Sequence, residues 1–120
     1  MNKERNPKQF DLEGRTLMFA KKTRTFVKEL PKTIAVLEDG KQLIRSSGSV
    51  GANYIEANEA LSKKDFIMRI KICRKEAKES RYWLRLIDSN GNEQEHMRKE
   101  LEQEASELMN IFGAILRKTE

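Results

Sequence analysis

The chain has 120 residues, and 36% of them are charged against 38% apolar. That length predicts one domain, and a core can form only if the few apolar residues share faces. No apolar run reaches the roughly 18 residues a membrane helix needs, one cysteine (Cys73) excludes an internal disulfide or a Cys-based zinc site, and one histidine (His96) argues against a His-based metal centre or a serine-protease triad.

Charge is unevenly placed. Residues 61–87 carry a net +6 and residues 88–120 a net −4, within an overall +5. Such an asymmetry serves either pairing between helices or binding of a polyanion.

Residues 1–9 read as a polar tail with no secretory signal, which predicts a cytoplasmic protein. A first helix is predicted from Asp11 to Leu30. Its main line is Leu17, Ala20 and Val27, with Phe19 and Phe26 beside that line, and Pro31 stops it. A second helix is predicted from Thr33, a good N-cap, to about Asn58. Ile34, Leu37, Ile44, Gly51, Ile55 and Asn58 form one face, and Gly40 marks a kink or restart.

The third helix starts at Ser62-Lys63-Lys64-Asp65, which has capping-box spacing. Phe66, Ile70, Cys73, Ala77, Ser80, Leu84 and Ile87 then alternate by four and three as a heptad seam. Asn90-Gly91 gives a stop, and Asn92-Glu93-Gln94-Glu95 gives the next start. The fourth helix carries Met97, Leu101, Ala105, Leu108, Phe112 and Ile115, with Met109 and Leu116 widening the stripe. Four helices of similar length joined by short turns predict an all-α fold. The expected architecture is an antiparallel up-down-up-down four-helix bundle over residues 10–118.

Little in the chain points to catalysis. Cys73 falls on a core position and reads as a small buried hydrophobe. His96 reads as a surface residue among glutamates. Ser46-Ser47-Gly48-Ser49-Val50-Gly51 lacks the spacing and the Lys-Ser/Thr pair of a phosphate loop. Its small side chains instead suit close approach of a neighbouring helix. Arg45, Ser49, Asn53 and Glu56 share a face there and predict a polar network, with Arg45 or a third-helix base on Glu56. No cofactor is expected.

The strongest functional signal is a basic line on the third helix. Lys71, Arg74, Lys78, Arg81 and Arg85 are spaced by three and four, and Lys21, Arg24 and Lys28 repeat the spacing on the first helix. Such lines can follow backbone phosphates. The competing reading pairs them with an acidic line of the fourth helix, Glu93, Glu100, Glu104 and Glu107, as surface ion pairs. Tyr82, Trp83 and Leu86 lie off the third helix's seam, as Phe19 and Phe26 lie off the first's. They suggest an apolar face covered by another subunit.

The stretch Gln42 to Ala57, with Arg45-Ser46-Ser47 and Gly51-Ala52-Asn53, the downstream Lys64-Asp65-Phe66 and the basic helix ending Tyr82-Trp83-Leu84-Arg85-Leu86-Ile87 resemble the four-helix-bundle family of 23S rRNA intervening-sequence proteins. The resemblance covers about residues 10–118. It implies antiparallel bundles that assemble as homopentamers. It also implies a relation to the accessory variability determinants of diversity-generating retroelements, which bind nucleic acid and a reverse transcriptase. Arg45, Ser46, Ser49, Gly51, Asn53 and Glu56 match the family pattern as a structural signature, with no catalytic residue to carry over. Gly48 and Tyr54 depart from many members, which leaves subfamily and partner open. The resulting expectation is a non-enzymatic, oligomeric nucleic-acid-binding protein. The alternative is a protein–protein scaffold or accessory subunit.

Overall fold

The computed structural model describes residues 11–119, so the predicted polar tail lies outside the described residues. Four helices follow in order: α1 (Leu12–Lys28), α2 (Ile34–Asn58), α3 (Lys63–Leu86) and α4 (Gly91–Thr119). Neighbours in sequence pack side by side and α4 closes the ring against α1, while the diagonal pairs touch only through core side chains, as where the rings of Tyr54 and Phe112 lie 6.1 Å apart. Short connections force each helix to run antiparallel to the one before it. This is the expected up-down-up-down bundle.

The helix starts are set by side chains that accept from otherwise unpaired backbone N–H groups. Asp11 accepts from Gly14 N at 3.1 Å, Thr33 from Val36 N at 3.1 Å and Ser62 from Asp65 N at 3.1 Å. Pro31 lies in the break between α1 and α2 as expected. Gly91 opens α4 with φ +81°, a backbone conformation that favours glycine. The Gln94 side chain accepts from Asn90 N at 2.8 Å and donates to Glu29 O at 2.7 Å, tying the start of α4 to the end of α1.

Three expectations are corrected. The helices are unequal, with 17 residues in α1 and 29 in α4, because α1 stops one turn before Pro31. Helix α2 runs unbroken through Gly40, which is buried; a Cβ there would stand 3.0 Å from Val27 Cγ1. Gly40 thus admits α1 rather than kinking α2. The third correction concerns the core faces of α1 and α2.

On α1 the buried line is Leu12, Thr16, Phe19, Thr23, Phe26 and Leu30; of the predicted main line Ala20 is also buried and Val27 packs against the core, while Leu17 is 57% exposed. Phe19 and Phe26 are therefore core residues, not a face left for another subunit. On α2 the buried line is Val36, Gly40, Leu43, Ser47, Val50 and Ala57, with Tyr54 packed against it, while Ile34, Leu37 and Ile55 are exposed. In both helices the sequence pattern selects a real apolar stripe. Its exposed members, Leu17, Leu37 and Ile55, form a shoulder beside the core lines of the two helices. The true core lines contain Thr16 and Thr23 on α1 and Gly40 and Ser47 on α2, which do not register as apolar.

The α3 and α4 seams hold, although α3 ends at Leu86, before the predicted Asn90-Gly91 stop, and α4 begins at Gly91, one residue before the predicted Asn92 start. Ile70, Cys73, Ala77, Ser80, Leu84 and Ile87 are buried, as are Leu101, Ala105, Leu108, Phe112 and Leu116. Phe66, Met97, Met109 and Ile115 pack at the margin of this core. No helix among the described residues is long and apolar enough to cross a membrane.

Candidate nucleic-acid interface

The basic line of α3 runs along the seam with α4, because each of its positions lies beside the core positions Ile70, Cys73, Ala77 and Leu84 on the α4 side. What faces it changes steadily along α4. Near the α3–α4 turn, Arg85 Nε meets Glu102 Oε1 at 3.3 Å. One turn further, Arg81 Nη1 donates to Ser106 Oγ at 3.1 Å. Beyond that, α4 presents Met109, Gly113 and Leu116, and then a base, Arg117.

At that far end the two helices leave a groove of about 500 Å³ lined by Lys71, Arg74, Lys75, Lys78, Met109, Gly113, Leu116 and Arg117. No carboxylate lines it. Lys71, Arg74, Lys78 and Arg117 have no ion-pair partner among the described residues, and Lys75 reaches only its neighbour Glu76 at 3.8 Å. Gly113 brings the two arginines together. A Cβ placed on it would stand 3.5 Å from Arg117 Nη1 and 4.0 Å from Arg74 Nε.

The acidic line of α4 does not neutralise this row. Glu104 and Glu107 turn to the opposite side, toward α1, where Arg15 Nε meets Glu104 Oε2 at 2.7 Å and Arg15 also bonds Glu107. Hydrogen bonding to Glu104 holds the Arg15 pKa above its ordinary value. Glu100 pairs with His96 at 3.2 Å, and His96 is exposed as expected. Glu93 has no ion pair among the described residues. The competing reading, in which this acidic line pairs with the basic row, does not hold within the protomer: Glu104 and Glu107 pair with α1 and Glu100 with His96 of its own helix. Two residues missed by sequence reasoning, Arg15 and Glu102, carry the main interhelical ion pairs of α4. A further miss, Arg98, binds both Glu102 and Glu95 and holds the Glu95 carboxyl below its usual range.

The α1 cations Lys21, Arg24 and Lys28 are exposed, and no α1 residue lines the α3–α4 groove. A single protomer does not unite the two lines. Arg24 lies over Gly48 of α2, where a Cβ would stand 3.5 Å from Arg24 Nη2.

The signature residues of α2 serve mainly to dock α3. Arg45 reaches Glu79 at 3.1 Å and the buried Glu76 at 3.6 Å. Asn53 Nδ2 donates to Ser49 Oγ at 3.0 Å, and Arg69 Nη1 of α3 donates to Asn53 Oδ1 at 2.9 Å. Ser80 Oγ donates to Ser46 Oγ at 2.9 Å inside the core. Gly51 faces α1 instead, and a Cβ there would press to 2.9 Å from Thr16 Oγ1. The predicted polar network is therefore present only in part: Ser49 and Asn53 are joined and Asn53 takes the third-helix base Arg69, whereas Arg45 pairs separately with Glu76 and Glu79, and Glu56 takes neither base. The small-residue stretch lies wholly within α2, with its close neighbours on both sides.

Cys73 is fully buried, and desolvation pushes its thiol up to about 12. Such a thiol stays protonated at neutral pH and is a poor nucleophile. Tyr82 and Leu86 are half-exposed, whereas Trp83 packs against the core with its ring 5.1 Å from that of Tyr82. Among the described residues no group of three His, Cys, Asp or Glu could hold a metal ion.

The family described as 23S rRNA-intervening sequence protein matches residues 8–114. No curated protein matches the chain. Among solved structures, a protein of unknown function from the S23 ribosomal protein family of Bacteroides thetaiotaomicron superposes with a TM-score of 0.74 at 30% identity, over 87% of this chain and 96% of that one. The chain belongs to the 23S rRNA-intervening sequence protein family.

Proposed function

We propose that this protein is a non-enzymatic, cytoplasmic nucleic-acid-binding bundle that contacts backbone phosphates of RNA or DNA and works as a homo-oligomer. The observation that carries this reading is the open end of the α3–α4 seam. Five cations gather there around a groove whose lining holds no carboxylate. Like charges brought this close repel one another, and a polyanion relieves that repulsion. Phosphate contacts of this kind give affinity with little sequence preference.

The measurement is fluorescence anisotropy with labelled RNA and DNA across a salt series. Four phosphates neutralised by Lys71, Arg74, Lys78 and Arg117 give a slope of log K against log salt of about −3 on a single strand. No binding at low salt overturns the reading.

A second reading is a protein-interaction scaffold, and the half-exposed apolar residues favour it. Tyr82 and Leu86 are 57% and 47% exposed, and Leu17, Leu37 and Ile55 line the α1–α2 shoulder at 57%, 48% and 47%. The same residues support self-association, with the pentamer implied by the family resemblance as the expected form. Because Trp83 is part of the bundle's own packing, the test uses Tyr82→Glu with Leu86→Glu. A smaller mass in light scattering with helical content retained supports the interface, and an unchanged mass removes these two residues from it.

A further inference from the structure

We propose that the α3–α4 groove is a clamp for one phosphate of a single-stranded nucleic acid, held between Arg74 and Arg117 over Gly113, with the adjoining base laid on Met109. This inference rests on the phosphate-binding reading above and gives it a place, a strand class and a residue that the basic line does not contain.

The geometry of Gly113 is the first support. Its missing side chain leaves one point that Arg117 Nη1 and Arg74 Nε approach to 3.5 and 4.0 Å from opposite helices. Two like-charged guanidiniums brought this close repel, and an anion between them relieves that repulsion. Neither has an ion-pair or hydrogen-bond partner among the described residues, whereas Arg15, Arg45, Arg85 and Arg98 pair with carboxylates and Arg24, Arg69 and Arg81 donate to Ala20 O, Asn53 and Ser106. Guanidinium pairs bind a phosphate by parallel N–H donors, which an ammonium group cannot reproduce.

The lining is the second support. Lys71, Lys75 and Lys78 edge the groove on the α3 side, while the half-buried Met109 supplies apolar surface beside the arginines, with Leu116 beneath it. A single strand offers both a phosphate and an unstacked base to such a surface. A duplex keeps its base faces stacked inside and leaves that surface uncovered.

The test uses the whole protein with a fluorescein-labelled single-stranded RNA 12-mer and the matching duplex, both at low salt. Arg117→Lys and Arg74→Lys keep every charge and remove only the fork geometry. The clamp predicts at least tenfold weaker binding of the single strand by either variant, with unchanged helical content. Lys118→Gln, which removes a charge one residue away, should change binding less than twofold. The wild type should bind the single strand several-fold more tightly than the duplex.

If both lysine variants bind like the wild type, the clamp is overturned while the phosphate reading stands. Equal or tighter duplex binding overturns the single-strand assignment. If the wild type binds neither probe, the phosphate reading fails and the clamp falls with it. A second readout covers a variant that folds poorly. Added RNA 12-mer should raise the wild-type melting temperature, and it should raise that of Arg117→Lys by clearly less. An equal rise in both overturns the clamp.

Discussion

The two ends of the α3–α4 seam are built from the same α3 pattern and behave oppositely. Near the turn, Arg85 faces Glu102 and Arg81 faces Ser106, so the row is neutralised or hydrogen-bonded by its neighbour. At the far end, Lys71, Arg74 and Lys78 face Met109, Gly113, Leu116 and another base, Arg117. The periodic basic row is therefore not one functional unit. Its character at each turn is decided by the residue that α4 sets against it, and that register is a property of the fold.

The largest effect should come from reversing charge at the open end. Lys71→Glu, Arg74→Glu and Lys78→Glu together should weaken nucleic-acid binding at least about 100-fold at low salt, since each lost phosphate contact also removes a released counterion. Arg85→Gln at the paired end should change affinity less than about twofold. Anisotropy titrations of the two variants side by side check this. Equal losses in both would merge the two ends into one surface. Circular dichroism confirms that the triple variant remains helical.

A smaller effect should follow from making the open end resemble the paired one. Arg117→Glu sets a carboxylate opposite Lys71 and Arg74, as Glu102 stands opposite Arg85. Binding should fall about 30-fold, more than for Arg117→Lys because the charge is reversed as well as the fork removed, and the midpoint of urea unfolding should rise slightly because a repulsive contact becomes an attractive one. A loss of affinity together with a lower midpoint would mean that Arg117 supports packing rather than the groove.

How much of this was legible in the sequence differs by helix for a physical reason. Helices α3 and α4 bury apolar side chains at nearly every core position, so their heptads were read correctly. Helices α1 and α2 meet so closely that their core lines need Gly40, Ser47, Thr16 and Thr23, and the outer shoulder of Leu17, Leu37 and Ile55 then looks like the seam. The basic line was visible as spacing alone. Its division was not, because Glu102 and Arg117 come together with it only through the α4 register. Nor could spacing show that Glu104 and Glu107 turn to Arg15, since that choice depends on which flank of α4 lies against α1.

The smallest effect tests the paired end directly. Glu102 accepts from Arg85 Nε at 3.3 Å and from Arg98 Nη1 at 2.9 Å, and Arg85 remains 60% exposed. An exposed pair of this kind contributes about 0–1 kcal/mol. Replacing Glu102 by Gln keeps the side chain's shape and frees Arg85 from its carboxylate, while Arg98 retains Glu95. The local potential then rises by one charge at a point two turns from Lys78. Affinity for a labelled single strand should increase about twofold at low salt. The gain should vanish near physiological ionic strength, where charges more than about 8 Å apart are screened. A gain of tenfold or more would show that Glu102 had been masking part of the binding surface. The row from Lys71 to Arg85 would then act as one continuous phosphate track, half of it held shut by α4.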